Sequence, residues 1–265
     1  MTQLIGAICE DGKKLIFLSD RRVERAGLAF DRGVKGEAIS DNAMILTAGT
    51  VHEPELLEEV KGELRNVSKP RIVNIARKVS KKYQDIRLDR IEDEILRTMG
   101  FESLNDYYGK QKILHDSMVI DLNSKIEQYD LGLYLLLGGV DERAHLYRVT
   151  NPGAYASFDA IGFLCPGMGK EQAESTFVWY DFSPALSEAE ALYIAFEAKK
   201  KAETAGGIGE TTDAWLIEER GIYEVKQETI TGLNEIYCHR QNSIGRGKFG
   251  EEIKEFQIAK KKVEY

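Results

Sequence analysis

Over the first fifty positions the apolar residues come in short runs. Leu4-Ile5-Gly6-Ala7-Ile8 is one run and Leu15-Ile16-Phe17-Leu18 is the next. Asp11-Gly12 lies between them, and its glycine supplies the positive φ that a hairpin turn needs, so two antiparallel strands are predicted. Val34 to Ile39 and Ala43 to Thr47 predict a second pair, turned at Ser40-Asp41-Asn42, with Gly27 to Gly33 as the loop between the pairs. The period then changes. Glu53 to Arg65 reads as a polar-faced helix, and Ser68 followed by Pro70 reads as the N-cap and first turn of another. Ile72, Ala76, Val79, Tyr83 and Ile86, with Ile75 alongside, recur at spacings of four and three and form one apolar stripe. That stripe fades towards Gly100. Positions 88–129 are charged, with Tyr107-Tyr108-Gly109 in the middle, and read as an insertion or helical extension packed around those tyrosines.

The second half repeats the order. Leu131 to Gly139 is a continuous apolar run of strand length, and Ala144 to Val149 follows a turn at Asp141-Glu142. Asn151-Pro152-Gly153 is a turn, Ala154 to Phe163 a further strand, and Gly167 to Trp179 a helix. Ser187-Glu188-Ala189-Glu190 is a capping-box pattern that opens a helix to about Glu203. Asp213 to Ile217 and Ile222 to Val225 are the last strands. Beyond about Thr231 the chain is polar, with a helix predicted over Glu251 to Lys262. Hairpins dominate and helices arrive in pairs, unlike the strict alternation of a parallel sheet. The expected class is α+β, a four-layer αββα sandwich of two antiparallel sheets. The expected organisation is one domain over 2–230 carrying the helical insertion at about 88–129, then a C-terminal extension over 231–265.

Charge and composition narrow the function classes. The net charge of −8 argues against a nucleic-acid partner, which needs a concentrated basic face. No stretch approaches the ~18 apolar residues of a membrane span. The N-terminus lacks a basic region followed by an apolar one, so the cytoplasm is the expected compartment. Cys9, Cys165 and Cys238 are odd in number and widely spaced, which implies no disulfide framework. His52, His115, His145 and His239 lack ligand spacing, so neither a metal nor a cofactor is expected. Gly245-Arg-Gly247-Lys-Phe-Gly250 matches a dinucleotide fingerprint literally but has no strand–turn–helix around it. Lys199-Lys200-Lys201 and Lys260-Lys261-Lys262 read as solvated helix ends.

Several local motifs occur in a particular order. The chain opens Thr2-Gln-Leu-Ile-Gly-Ala-Ile-Cys-Glu-Asp-Gly once Met1 is set aside, then carries Ser19-Asp20-Arg21-Arg22, Val34-Lys35 and Ala48-Gly49. Gly139-Val140-Asp141, Leu146-Tyr147-Arg148-Val149, Pro152-Gly153-Ala154-Tyr155, Ala160-Ile161-Gly162 and Leu186-Ser187-Glu188-Ala189-Glu190-Ala191 follow. In this order the motifs resemble the β-subunits of the proteasome-type N-terminal-nucleophile hydrolases. The intervals from Thr2 to Gly12 and from Lys35 to Gly49 are those of that family. The resemblance covers roughly 2–87 and 131–226.

The resemblance implies a threonine-type endopeptidase and assigns a catalytic set of Thr2, Asp20, Lys35 and Gly49. Removal of Met1, which aminopeptidases carry out before small residues, frees the Thr2 amine. That amine is then the base for the Thr2 hydroxyl. Lys35 lowers both pKa values by its charge, Asp20 holds Lys35, and the Gly49 N–H faces the oxyanion. The implied partners are a peptide or unfolded protein as substrate and further copies of the chain in a homo-oligomeric ring; an unfoldase is supported by no motif. The pattern also departs from the family. Glu203-Thr204-Ala205-Gly206-Gly207-Ile208-Gly209 lacks the Asp and Ser expected after the fourth helix, and Phe163 to Gly169 lacks a serine. Two alternatives therefore stay open: a catalytically silent ring or scaffold subunit, and a transpeptidase or ligase that uses the same site for acyl transfer.

Overall fold

A computed structural model describes every residue of the chain except 1, 26, 27, 50–52, 66, 242–252, 254, 264 and 265. The architecture is mixed α and β with antiparallel sheets. The elements run β1 (Leu4–Cys9), β2 (Lys14–Asp20), β3 (Arg22–Arg25), β4 (Leu28–Asp31), β5 (Gly36–Ser40), β6 (Ala43–Ala48), α1 (Glu53–Leu64) and α2 (Ile72–Ile91). Next come α3 (Leu104–Lys110), α4 (Asp116–Gln128), β7 (Tyr134–Val140), β8 (Ala144–Thr150), β9 (Ala154–Ser157), β10 (Phe163–Leu164), α5 (Lys170–Trp179) and α6 (Glu188–Ala202). β11 (Thr212–Glu218), β12 (Gly221–Val225), α7 (Gln227–Gln241) and β13 (Lys260–Lys262) complete the described elements.

One sheet has the order β10-β1-β2-β11-β12-β13 and the other β5-β6-β7-β8-β9. Alternation along the strands explains how they pack. Leu4 and Ile8, Leu15 and Phe17, and Trp215 and Ile217 of the first sheet share one core with Met44, Leu46, Leu136 and Leu146 of the second. The alternate residues Ile5, Ala7, Ile16 and Leu18 pack against α5 and α6. Ile45, Leu135 and Leu137 pack against α1 and the α2 stripe of Ile72, Ile75, Ala76, Val79, Tyr83 and Ile86. The central strands β1, β2, β6 and β7 thus bury both faces, at about 1.5–3 kcal/mol per large apolar side chain.

The structure corrects the sequence reading in several places. Gly27 to Gly33 is not simply a loop, because Leu28–Asp31 pairs with Arg22–Arg25 in a separate ribbon. Leu28, Ala29, Phe30 and Asp31 are all exposed, so no buried–exposed alternation marks the strand. Ala154 to Phe163 is not one strand. A turn closed by Gly162 N–H to Phe158 O (2.8 Å) breaks it and passes the chain from β9 in one sheet to β10 in the other. α2 begins at Ile72 rather than near Ser68, and its Ile72 N–H is capped from afar by the Asp141 carboxylate (2.9 Å). Gln227–Gln241 is helical, across residue 230, with Ile230 and Leu233 buried at a spacing of three. Lys260–Lys262 is a strand paired with β12, not the end of a helix. The Gly245 to Gly250 motif and most of the predicted helix start at Glu251 lie outside the described residues.

The insertion is helical and has its own small core of Ile91, Leu96, Phe101, Tyr107 and Leu122. α2 runs into it through a wider turn of π type over Glu92–Leu96. Tyr107 is wholly buried and its hydroxyl donates to Asn123 Oδ1 (2.8 Å), which supports the packing role expected of it. Arg87 joins the insertion to the main body through Nη2 to Ile126 O (2.7 Å) and Nε to Tyr129 O (3.1 Å).

Candidate functional site

β1 and β2 form a hairpin with the register Leu4↔Ser19, which brings Asp20 back beside the start of the chain. Asp20 N–H donates to Gln3 O (3.3 Å), and Gln3 N–H donates to Asp20 Oδ1 (2.8 Å). Lys35 precedes β5, opposite Thr47, whose N–H donates to Lys35 O (2.9 Å). From there its ammonium reaches the same Asp20 Oδ1 at 2.7 Å. The other carboxylate oxygen accepts from Arg22 N–H (3.0 Å) and Gly209 N–H (3.1 Å). Asp20 is completely buried, and four donors satisfy its two oxygens, as a buried carboxylate requires. Lys35 is 7% exposed. Burial pulls its pKa below the usual lysine value, against the opposing hydrogen bond and charge of Asp20.

Three of the four sequence-predicted residues are therefore linked by contacts. Asp20 and Lys35 are paired directly. Thr2, which is half-buried, is joined to them through the backbone of its neighbour Gln3. Gly49 lies just past the end of β6, two positions beyond Thr47, and is exposed. Its φ of +143° is a glycine conformation, and a side chain there would place Cβ 2.2 Å from Gly132 O. Close packing against the Gly132 backbone thus requires a glycine in its own right.

Other residues of the site were not singled out in the sequence. Gln3 is fully buried. Its carboxamide donates to Leu4 O (3.0 Å) and Cys165 O (3.2 Å) and accepts from Gly169 N–H (3.0 Å). Met168 N–H donates to Thr2 O (3.1 Å), so the Cys165–Gly169 turn clasps the chain start through backbone groups. Gly167 makes the clasp possible, since its φ is +138° and a Cβ would lie 2.2 Å from Thr2 O. A polar residue immediately before an apolar first strand was the one available signal for Gln3.

The lysine run at the end of α6 is also corrected. Lys199 is not solvated but wholly buried. Its ammonium donates to Glu203 Oε1 (2.5 Å), Gly209 O (2.7 Å) and Glu210 O (2.8 Å), three acceptors for three protons. Burial lowers its pKa, with Glu203 opposing. Glu203 also takes Lys200 (2.6 Å), and Thr204 Oγ1 donates to Lys201 O (2.7 Å). The contacts of Glu203 and Thr204 are thus with the α6 lysines, and neither residue hydrogen-bonds Asp20 among the described residues.

A second, partly buried titratable cluster stands at the other end of the second sheet, at the start of β8. His145 Nδ1 meets Asp159 Oδ2 at 2.7 Å and Nε2 meets Asp141 Oδ1 at 3.1 Å. The remaining oxygens accept backbone N–H groups, Leu146 on Asp159 Oδ1 (2.8 Å) and Ile72 on Asp141 Oδ2 (2.9 Å). The hydrogen bond from Asp159 raises the His145 pKa, with burial opposing and both carboxylate charges assisting. Burial pushes Asp159 up, but His145 and the Leu146 N–H outweigh it and hold its pKa low.

Among the described residues no group of three or more His, Cys, Asp or Glu side chains is placed to hold a metal ion, and no helix is long and apolar enough to cross a membrane. No protein-family model matches the chain, and no curated protein matches it with significance.

Proposed function

We propose that this chain is a proteasome-type N-terminal-nucleophile hydrolase, with its two sheets and flanking helix pairs forming a four-layer αββα sandwich, and that it cleaves peptide bonds through Thr2. With Met1 removed, the Thr2 hydroxyl attacks the substrate carbonyl while the Thr2 amine takes the hydroxyl proton. The tetrahedral oxyanion lies against the Gly49 N–H. Its collapse breaks the C–N bond, the amine proton passes to the leaving nitrogen, and an ester to Thr2 remains for water to hydrolyse. Lys35 supplies positive charge beside the reacting groups, and Asp20 keeps that lysine protonated and aimed. The substrate is a peptide or unfolded protein. The working form is a homo-oligomer in the cytoplasm.

One observation carries this reading: a single buried oxygen, Asp20 Oδ1, holds both the Lys35 ammonium and the N–H of the residue that follows Thr2. The test is the intact mass of the purified chain before and after incubation with a peptide epoxyketone, which reacts with both the hydroxyl and the amine of an N-terminal threonine. Loss of Met1 and gain of one adduct are expected. Thr2→Ala abolishes the adduct and peptide cleavage while the thermal transition is retained. Cleavage that persists in that variant overturns the assignment of Thr2. Joined peptides in place of fragments would mark transfer of the acyl group to an amine instead of water.

A second reading, a catalytically silent scaffold subunit, is favoured by the engagement of Glu203 and Thr204 with Lys199 and the Lys201 carbonyl. Retained Met1 with no adduct selects it.

A further inference from the structure

Asp20 has four donors, and three of them come from fixed places: Gln3 in the clasped chain start, Arg22 at the foot of the β3–β4 ribbon, and Lys35 beside β6. The fourth, Gly209 N–H, comes from the connection between α6 and β11. That connection is a weak support by composition. Gly206 and Gly207 follow one another with φ of +76° and +72°, and a Cβ on Gly206 would meet nothing within 4 Å. Two successive glycines at positive φ give the backbone wide freedom. Buried Ile208 anchors one side of the connection in the core against α5 and α6, and a polar hold on Gly209 itself keeps its N–H in register with the carboxylate.

Lys199 is in the right place to do so. It sits in the last turn of α6, and its ammonium collects the carbonyls of Gly209 and Glu210 together with the Glu203 carboxylate. Gly209 is therefore pinned through both backbone polar groups, its C=O to Lys199 and its N–H to Asp20. The fit around it is close, since a Cβ on Gly209 would lie 2.7 Å from Asp31 Oδ1 and 3.0 Å from Arg22 Cβ. A buried ammonium is costly unless its protons are bonded, so a fully buried one that spends all three protons on a single loop and one carboxylate is committed to that loop.

We infer that Lys199 is a positioning residue for the Asp20–Lys35 site, acting through the Gly206–Glu210 connection. It acts as a tethered internal cation that gathers the loop carbonyls and so presents the Gly209 N–H to Asp20. Glu203, at i+4 on the same helical path, neutralises the ammonium and aims it. The catalytic consequence rests on the function proposed above; the positional one does not. Lys199 touches no substrate in this scheme. Its removal frees one lone pair of Asp20 and lets the carboxylate turn, which loosens the hold on Lys35 and Gln3.

Two measurements on the full-length chain separate these claims. The first is amide exchange by NMR at Gly209 compared with β1 and β2 in Lys199→Met. The expected result is exchange at Gly209 faster by about tenfold, the loss of one charge-assisted contact, while Ile5 and Phe17 hold their wild-type rates. The second is epoxyketone labelling at Thr2, resolved into inhibitor affinity and maximal rate. The maximal rate falls by about tenfold with affinity unchanged. Glu203→Gln keeps the lysine and the side-chain volume and gives the same pattern at about threefold, and it stands in if Lys199→Met does not fold. Unchanged exchange at Gly209 overturns the inference, as does acceleration shared equally by all three regions. If the wild-type chain takes no label but Gly209 still loses protection, the hydrolase reading fails and the positioning role stands.

Discussion

The two acid–base clusters, one buried and one partly buried, are built from similar parts but do different things with them. At the Thr2 end, one carboxylate faces a lysine and three backbone N–H groups, and burial lowers the pKa of that lysine. At the other end, one imidazole lies between two carboxylates, and its pKa is raised. His145 has both ring nitrogens engaged, and each carboxylate also anchors a backbone N–H, so the cluster is saturated and ties β8 to the start of α2. The Asp20 cluster is just as fully bonded, but one of its donors belongs to Gln3, the residue after the proposed nucleophile Thr2. The difference lies in what the network is attached to. A buried charge network is a fastening by default, and it becomes a candidate site only where a reactive group is adjacent to it.

That comparison can be broken most directly at Asp20. Asp20→Ala leaves Lys35 buried without its counter-charge, and such half-broken pairs lose about 3–5 kcal/mol. It should also cut Thr2 labelling by about 100-fold, the scale of losing a preorganised electrostatic group. A chain that keeps full labelling after Asp20→Ala would reduce this cluster to a fastening like the other.

His145→Gln should have a smaller effect that depends on pH. The folded pKa of His145 is raised above its ordinary value near 6.5, so its stabilisation is complete below about 6.5 and is lost as pH rises through the folded value. Asp141 and Asp159 are lowered, so their share is present above about 3.9 and is lost as pH falls through their folded values. Urea titrations should therefore show a gap between wild type and variant of about 2 kcal/mol near pH ~5.5 that narrows towards pH ~9. A gap independent of pH would mean that His145 acts by shape alone, with no linkage.

The smallest effect sets the scale. Ser187 caps α6 in a reciprocal capping box with Glu190, away from both clusters. Ser187→Ala should cost about 1 kcal/mol, equally at every pH and with no change in labelling.

Much of this was legible in the sequence where period and turn chemistry agree. The β1–β2 and β5–β6 hairpins, the α2 stripe and the Ser187 box fall where their patterns predict. Asp20 and Lys35 were also singled out, through the resemblance, and they pair at 2.7 Å. What was not legible is long-range. Asp141 caps α2 from sixty-nine positions away, and Lys199 looks like any lysine in a basic helix end until the 206–210 connection folds over it. The β3–β4 ribbon escaped because pattern reading needs one buried face, and all four residues of β4 are exposed. Even Gly49, which was legible as a motif, proves to need its glycine for contact with Gly132 as well.

The last described strand has a consequence for how copies of this chain coexist at high concentration. β13 borders β12 at the rim of the six-stranded sheet, and its three residues are all lysines. A sheet rim is a template on which another chain can add a strand. Here an incoming β13 from a second molecule would lay three positive charges beside three more, and the rim would repel its own copy. Lys260 is partly neutralised within the molecule by Glu188 and Glu218, while Lys261 and Lys262 remain exposed. The strand that completes the sheet at this rim thus also disfavours the addition of a copy of itself there.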